Sequence, residues 1–282
     1  MDSLMTGRIF LSALTLMAAT LTVKAEYVRI ASINLATDQL LLQLVDRERI
    51  VALSFMAADP ELSMLAGEVA GIPGLRGDAE EILRLRPDLL LAGEHGNRQA
   101  LAFAERQGIP VLRLPVPNTF DDVREVIALL GSKLGAEEEA SRLIEEMDNR
   151  LRALEKKTNS RPERPTALAL GHGGHAHGSI SMMHAVLEAA GFRNTGAEMG
   201  IAFERRLTLE QVLTDPPRFL VSTRYHADHF TLGDRFLSHR ALRQVAGQMD
   251  QLESPLAWIT ASNNLTVQAA ESLYEQASRH LP

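Results

Sequence analysis

The stretch AEEILRLRPDLLLAG at residues 79–93 is rewritten 130 positions later as LEQVLTDPPRFLVST at 209–223. Glu80 corresponds to Glu210, Ile82 to Val212, Leu83 to Leu213, Pro87 to Pro217, and Leu90-Leu91 to Leu220-Val221. In each copy a short amphipathic helix runs into a proline. The proline ring removes a backbone donor and restricts the preceding residue, so the helix has to stop there. The aliphatic run that follows has the length and character of a strand buried on both faces of a parallel sheet. A chain that carries this helix–proline–strand unit twice is constrained to build two comparable α/β halves.

The surrounding sequence supplies the rest of each half. Residues 28–33 and 50–54 read as strands, with a helix at 36–45 between them and the loop FMAADPE after the second. Gly71-Ile-Pro-Gly74 breaks the chain, Asp78 caps a helix at 79–86, and a strand follows at 89–92. A helix at 97–107 ends at Gly108, and 111–114 is a further strand. Residues 121–157 are then almost wholly helical. Val123, Val126, Ile127 and Leu130 form one apolar stripe, Gly135 interrupts, and Ala140, Leu143, Ile144, Met147, Leu151 and Leu154 form the next. Glu137–Glu139 open this second helix and Lys156-Lys157 close it, the polarity a helix dipole favours.

After the polar break TNSRPERP, strands return at 166–170, followed by a helix at 181–190 and the second copy of the repeat. Helices near 234–246 and 266–280 complete the chain. The predicted architecture is α/β: two Rossmann-like lobes with parallel sheets, at 26–118 and 161–282, joined by a helical connector at 119–160, with a ligand cleft between the lobes. A long helix in that place acts as a stiff spine and keeps any closure of the lobes small.

The first 25 residues stand outside the fold. A short segment ending in Arg8, an apolar stretch from Ile9 to Val23, and Val23-Lys24-Ala25 give the layout of a secretory signal peptide cut near Ala25, with an apolar run short for a membrane span. The expected destination is the periplasm. The sequence has no cysteine, which excludes disulfides, a thiol nucleophile, a thiolate metal site and lipid attachment through cysteine. Its formal charge is −7, and more negative by one without Asp2, Arg8 and Lys24, which argues against a nucleic-acid partner.

In parallel α/β sheets ligands sit beyond the carboxyl ends of the strands. That rule nominates Asn34, Leu35, Phe55 and Met56, then Glu94, His95 and Arg98 in GEHGNR, then Pro115–Asn118. From the second lobe it nominates GHGGHAHGS at 171–179, with His172, His175 and His177, and TRYHADHF at 223–230, with Arg224, Tyr225, His226 and His229. Arginines grip anionic oxygens, and imidazoles either bond an anionic chelate or coordinate a metal directly, in which case His172, His175 and His177 are the ligands. Trp258, the single tryptophan, reads as a stacking group in the cleft or as core beneath the last helix, and Phe55 as a stacking group. His184 and His239 fall on helices and read as structural.

Two segments imitate enzyme motifs. GHGGHA at 171–176 has the spacing of a dinucleotide glycine pattern, with Glu188 downstream, but no helix opens at its glycines. HADH at 226–229 resembles the metal motif of the metallo-β-lactamase fold, yet Arg224 stands where a further histidine is needed. With no nucleophile elbow and no paired carboxylates, the sequence points to a binding protein, a zinc-dependent hydrolase being the remaining enzyme alternative.

RIASINLATDQLLLQL, EEILRLRPDLLLA, GIPVLRLP before the long helix, VLEAAGFRN and LAWIT together resemble the periplasmic substrate-binding proteins of ABC importers, in the group that binds vitamin B12 and iron–siderophore complexes. The resemblance spans essentially the whole chain after residue 25. It implies a monomeric receptor without a cofactor of its own, whose ligand is a transported metal chelate or corrinoid. The expected ligand is an iron–siderophore complex; cobalamin, heme and then free zinc or manganese are the alternatives. It implies an inner-membrane permease and its ATPase as partners. In that family a surface glutamate on each lobe meets permease arginines, and Glu80 and Glu210 occupy those places, with Glu81 beside Glu80 as a competitor. The family's zinc and manganese binders draw ligands from both lobes, whereas the first lobe here offers His95 and carboxylates.

Overall fold

A computed structural model describes residues 27–223 and 249–281. The signal-peptide segment, the helix near 234–246, and Arg224, Tyr225, His226, His229 and His239 therefore lie outside the described residues.

The first lobe contains β1 (Ile30–Ser32), α1 (Leu35–Leu44), β2 (Ile50–Ser54), β3 (Gly74–Leu75), α2 (Ala79–Leu85), β4 (Leu89–Gly93), α3 (Arg98–Arg106) and β5 (Val111–Leu114). All five strands are parallel, in the order β3-β2-β1-β4-β5. The chain builds outward from β1 through β2 and β3, then returns to the other side of β1 for β4 and β5. The strand order thus reverses between β1 and β4, and a crevice opens at such a point.

Two helices follow. α4 (Phe120–Leu134) opens on a capping box between Thr119 and Asp122, and α5 (Glu137–Thr158) follows a two-residue turn in which Gly135 takes φ +70°. α4 folds back along α5. Arg124 Nε lies 2.8 Å from Asp148 Oδ1, and a Cβ on Gly131 would stand 2.4 Å from the Cβ of Ala140. The expected rod is α5, which touches α1 of the first lobe and the helices at 182–189 and 267–278 of the second.

The second lobe contains β6 (Thr166–Leu170), β7 (His175–His177), α6 (Met182–Ala189), β8 (Arg193–Asn194), α7 (Thr195–Glu198), β9 (Glu204–Arg206), α8 (Leu209–Thr214), β10 (Phe219–Ser222), β11 (Asp250–Glu253), α9 (Ala257–Thr260) and α10 (Val267–Ser278). Its sheet runs β11-β10-β6-β7-β9, with β8 also against β6. β11, β10, β6 and β8 are parallel, but β7 is antiparallel to both β6 and β9. The glycines after β6 cause this departure from a wholly parallel sheet. Gly173 and Gly174 adopt positive φ, and Gly171 N–H donates to His175 O at 2.8 Å, so the chain turns straight back as a hairpin.

The repeat folds as a repeat. Ile82 and Val212 are buried under their helices, Pro87 and Pro217 are buried at the stops, and β4 and β10 each lie beside the first strand of their lobe. α2 covers an outer core with Leu90 and Leu101, and α8 covers a matching one with Leu168 and Leu220. One continuous core, from Ile30 and Leu41 through Ile127 and Leu143 to Leu187, Phe219 and Leu273, runs through both lobes and the connector.

Polar groups register the lobes across this core. Asn264 Nδ2 donates to Gln43 Oε1 at 2.9 Å, Gln43 Nε2 donates back to Asn264 Oδ1 at 3.3 Å, and Asn263 Nδ2 donates to Gln39 Oε1 at 3.1 Å. Among the described residues no helix is long and apolar enough to cross a membrane.

Candidate functional site

A crevice lies where the strand order predicts it. Asn34, Leu35 and Thr37 follow β1, Met56 follows β2, Gly93 ends β4, and Pro115–Pro117 follow β5; Thr260–Ser262 of the second lobe face them. The cavity measures about 190 Å³ and is largely aliphatic. Asn34 also holds the wall together, because its Oδ1 accepts the N–H groups of Ala36 and Thr37 and caps α1. Its amide presses against β4: a Cβ on Gly93 would stand 2.6 Å from Asn34 Nδ2. Glycine at 93 is what allows β1's loop and β4 to meet.

Behind this wall lies a carboxyl group that sequence reasoning missed. Asp38 on α1 is fully buried. Its Oδ1 accepts Ser54 N–H at 3.1 Å, its Oδ2 meets the Ser54 hydroxyl, and Ser32 Oγ and Thr37 Oγ1 pair beside it at 2.6 Å. Burial pushes Asp38 up to about 7, against the opposing pull of the Ser32 and Ser54 hydrogen bonds. The signal available in the sequence was an aspartate on the apolar face of a helix, three residues before Leu41.

The predicted loop residues separate into groups. Asn34 and Leu35 line the crevice. Phe55, next to Met56, is 56% exposed, with the guanidinium of Arg76 5.8 Å from its ring centre. Arg76 was not anticipated, because β3, which it follows, is only two residues long. Glu94 lines an adjoining depression with Val116 and Glu125, and His95 is exposed. Arg98 belongs elsewhere: as the first residue of α3 it lines a depression on the lobe's outer flank with Ala79 and Phe103, not the crevice.

In the second lobe His172 lies in the turn after β6, and His175 and His177 lie on β7, two residues apart and so on one face. His177 Nδ1 is 3.0 Å from Glu204 Oε1 on β9, and its Nε2 is buried, without a partner among the described residues, near Gly171. The hydrogen bond from His177 holds Glu204 below its ordinary value; partial burial opposes this, and the charges of His177 and His175 assist it. Among the described residues no group of three or more histidines and carboxylates is placed to hold a metal ion. Trp258 is half-buried on α9 against the central core, and the crevice receives the end of its helix rather than its ring.

Residues 30–251 match the family described as periplasmic binding protein. The chain belongs to that family. Among periplasmic binding proteins of known structure, it is similar to an ABC-type Fe3+-hydroxamate transport system protein from Saccharomonospora viridis. The two are 26% identical with a TM-score of 0.70, covering 89% of this chain and 93% of the other. The heme-binding protein RhuT from Roseiflexus sp. RS-1 shares its fold at 21% identity and a TM-score of 0.73, covering 88% and 98%. A cobalamin-binding protein of Halobacterium salinarum is 24% identical over 74% of this chain; the matched region spans only 57% of that protein's length. The family's members are solute-binding components of transport systems.

Proposed function

We propose that this chain is a periplasmic receptor that captures an iron–siderophore complex between its lobes and delivers it to an ABC permease driven by its ATPase. The observation that carries the reading is the crevice, whose largely aliphatic lining includes the polar residues Asn34, Thr260 and Ser262. Such a lining suits a chelate with an organic exterior and hydrogen-bonding oxygens. At about 190 Å³ the cavity is below the ~300–1,000 Å³ of a whole small-molecule site, so it seats one edge of the ligand. Phe55 and Arg76 meet the chelate at the rim, Glu94 and His95 at the mouth, and His175 and His177 from the second lobe. Residues 1–25 direct export.

Glu80 and Glu210 are both exposed, whereas Glu81 Oε2 accepts Arg76 N–H at 3.0 Å, which favours Glu80 as the docking group of the first lobe. Titrating residues 26–282 with a ferric hydroxamate, cobalamin, heme and zinc, with Trp258 fluorescence and calorimetry as readouts, tests the ligand. The ferric chelate is expected to bind most tightly; zinc binding without chelate binding sinks the proposal. Cobalamin is the second reading, favoured by the Halobacterium salinarum relative's name and by the aliphatic crevice.

A further inference from the structure

The lobes correspond strand for strand through their registers. In the first, Ser32 on β1 pairs with Leu91 on β4; in the second, Ala169 on β6 pairs with Val221 on β10. Leu91 and Val221 are 130 positions apart in the repeat. Two residues further along each strand, Asn34 therefore corresponds to Gly171, and Gly93 to Thr223.

This pair of positions is filled in opposite senses. In the first lobe the side chain follows β1 and the glycine ends β4, so the Asn34 amide lies over Gly93 and both line the crevice. In the second lobe the glycine follows β6. A Cβ on Gly171 would stand 3.5 Å from Thr223 Oγ1 and 3.4 Å from His177 Nε2. The space over Gly171 thus lies at the carboxyl ends of β6 and β10, where such sheets hold ligands.

Nothing in the fold requires a glycine at 171. Its φ of −85° is open to any residue, and an added methyl group would make only ordinary contacts. The polar atoms around the space are also unclaimed. His177 Nε2 is buried without a partner among the described residues, and the buried Thr223 makes no side-chain hydrogen bond to any of them. Nδ1 of the same imidazole is held 3.0 Å from Glu204 Oε1, which fixes the direction of Nε2. Buried polar atoms in folded proteins are nearly always bonded. An aimed imidazole nitrogen, a hydroxyl and a missing side chain meeting at one point mark a place whose occupant comes from outside the chain.

We propose, on the reading of this chain as a ferric-chelate receptor, that Gly171, Thr223 and His177 form a subsite for one projecting oxygen of the ligand. It is the second lobe's counterpart of the wall at Asn34. The Thr223 hydroxyl donates to that oxygen. His177 Nε2 bonds it as a donor or, where the oxygen belongs to a hydroxyl, as an acceptor. Glycine at 171 leaves the room that the oxygen fills.

Calorimetric titration of residues 26–282 with a ferric hydroxamate tests the subsite. Gly171→Ala puts a methyl group where the oxygen belongs. It is expected to weaken binding at least about tenfold, while thermal melting stays at or above that of the parent. Thr223→Val, of nearly the same shape without the hydroxyl, should weaken binding about three- to tenfold. Thr223→Ser, which keeps the hydroxyl, should stay within about twofold of the parent. Parental affinity in Gly171→Ala would make the space the seat of an internal water and overturn the proposal. Should Gly171→Ala melt below the parent, the Thr223 pair decides, and equal affinity of its valine and serine variants overturns the proposal. A parent that binds no ferric hydroxamate would instead overturn the receptor reading on which the subsite rests.

Discussion

Ser54 closes both of its donors on the carboxyl of Asp38, its N–H at 3.1 Å on Oδ1 and its hydroxyl on Oδ2. The contact ties the end of β2, and with it Phe55 and Met56, to the first turn of α1. The two walls of the crevice that come from different strands are held in one arrangement by a single buried group.

That group makes stability depend on pH. Asp38 rises from 3.8 to about 7 on folding, so the folded chain binds its proton more tightly than the unfolded chain. Its stabilising contribution is fully present below about pH 4 and is lost as pH rises through 7. That difference corresponds to on the order of 4 kcal/mol at most. Asp38→Asn keeps the acceptor for Ser54 N–H and removes the titration. Urea unfolding at several values between pH 4 and 8 should show the parent losing stability relative to the variant across that window. Parallel curves would mean that Asp38 is ionised throughout.

Why the repeat was legible and Asp38 was not follows from what each leaves in a sequence. Pro87 and Pro217 stop helices by local chemistry, and Leu89–Ala92 announces a buried strand by composition alone, so the lobes, the connector and their order could be read. Asp38, Ser54 and the Gln43–Asn264 pair depend on residues brought together from distant segments, in the last case 221 positions apart. Nothing local distinguishes Gln43 from a solvated glutamine. Arg98 shows the converse: its loop follows a strand, as the ligand rule requires, but the side chain starts a helix packed on the other side of the sheet. The hairpin at β7 was hidden because glycines read as an open loop when they in fact form a reversal.

The Gln43–Asn264 contact yields the second prediction. Each amide donates to the other across the lobes, and Asn264 is nearly buried. Asn264→Ala removes the donor to Gln43 Oε1, while Gln43 Nε2 keeps its bond to Gln39 O at 2.8 Å, and should cost about 0.5–1.5 kcal/mol. Making Gln43→Ala in the same background should then cost less than it does alone, with a coupling energy of at least about 0.5 kcal/mol in a double-mutant cycle. Strict additivity would show that the lobes are registered by the apolar core alone.

Gly93 separates packing from ligand binding. A methyl group there would stand 2.6 Å from Asn34 Nδ2, so Gly93→Ala has to displace the residue that caps α1 and lines the crevice. Crowding of this kind costs typically ~1–3 kcal/mol. Affinity for the proposed ferric chelate should fall at least tenfold by Trp258 fluorescence. Gly108→Ala is the control: its φ of +80° strains an alanine, but no atom lies within 4 Å of the added methyl, so it should lower stability and leave affinity unchanged. Equal losses of affinity in both variants would trace the effect to stability rather than to the crevice.

His177 and Glu204 give the last test, one that distinguishes an oriented imidazole from an incidental one. A histidine whose Nδ1–H is held by a carboxylate points its Nε2 in a fixed direction. Glu204 titrates below its ordinary value because of that bond, so its contribution to stability is present above pH ~4.5 and lost as pH falls through the lowered value. Glu204's side chain is 55% exposed, which limits the contribution to less than ~1 kcal/mol. His177→Ala should return the Glu204 carboxyl resonance toward the ordinary carboxylate range in a 13C NMR titration. Glu204→Gln, which still accepts from Nδ1 without the charge, should retain most of the chelate affinity that His177→Ala loses. If His177→Ala binds the chelate as tightly as the parent, the pair braces β7 against β9 and the wall facing the ligand is built from other groups.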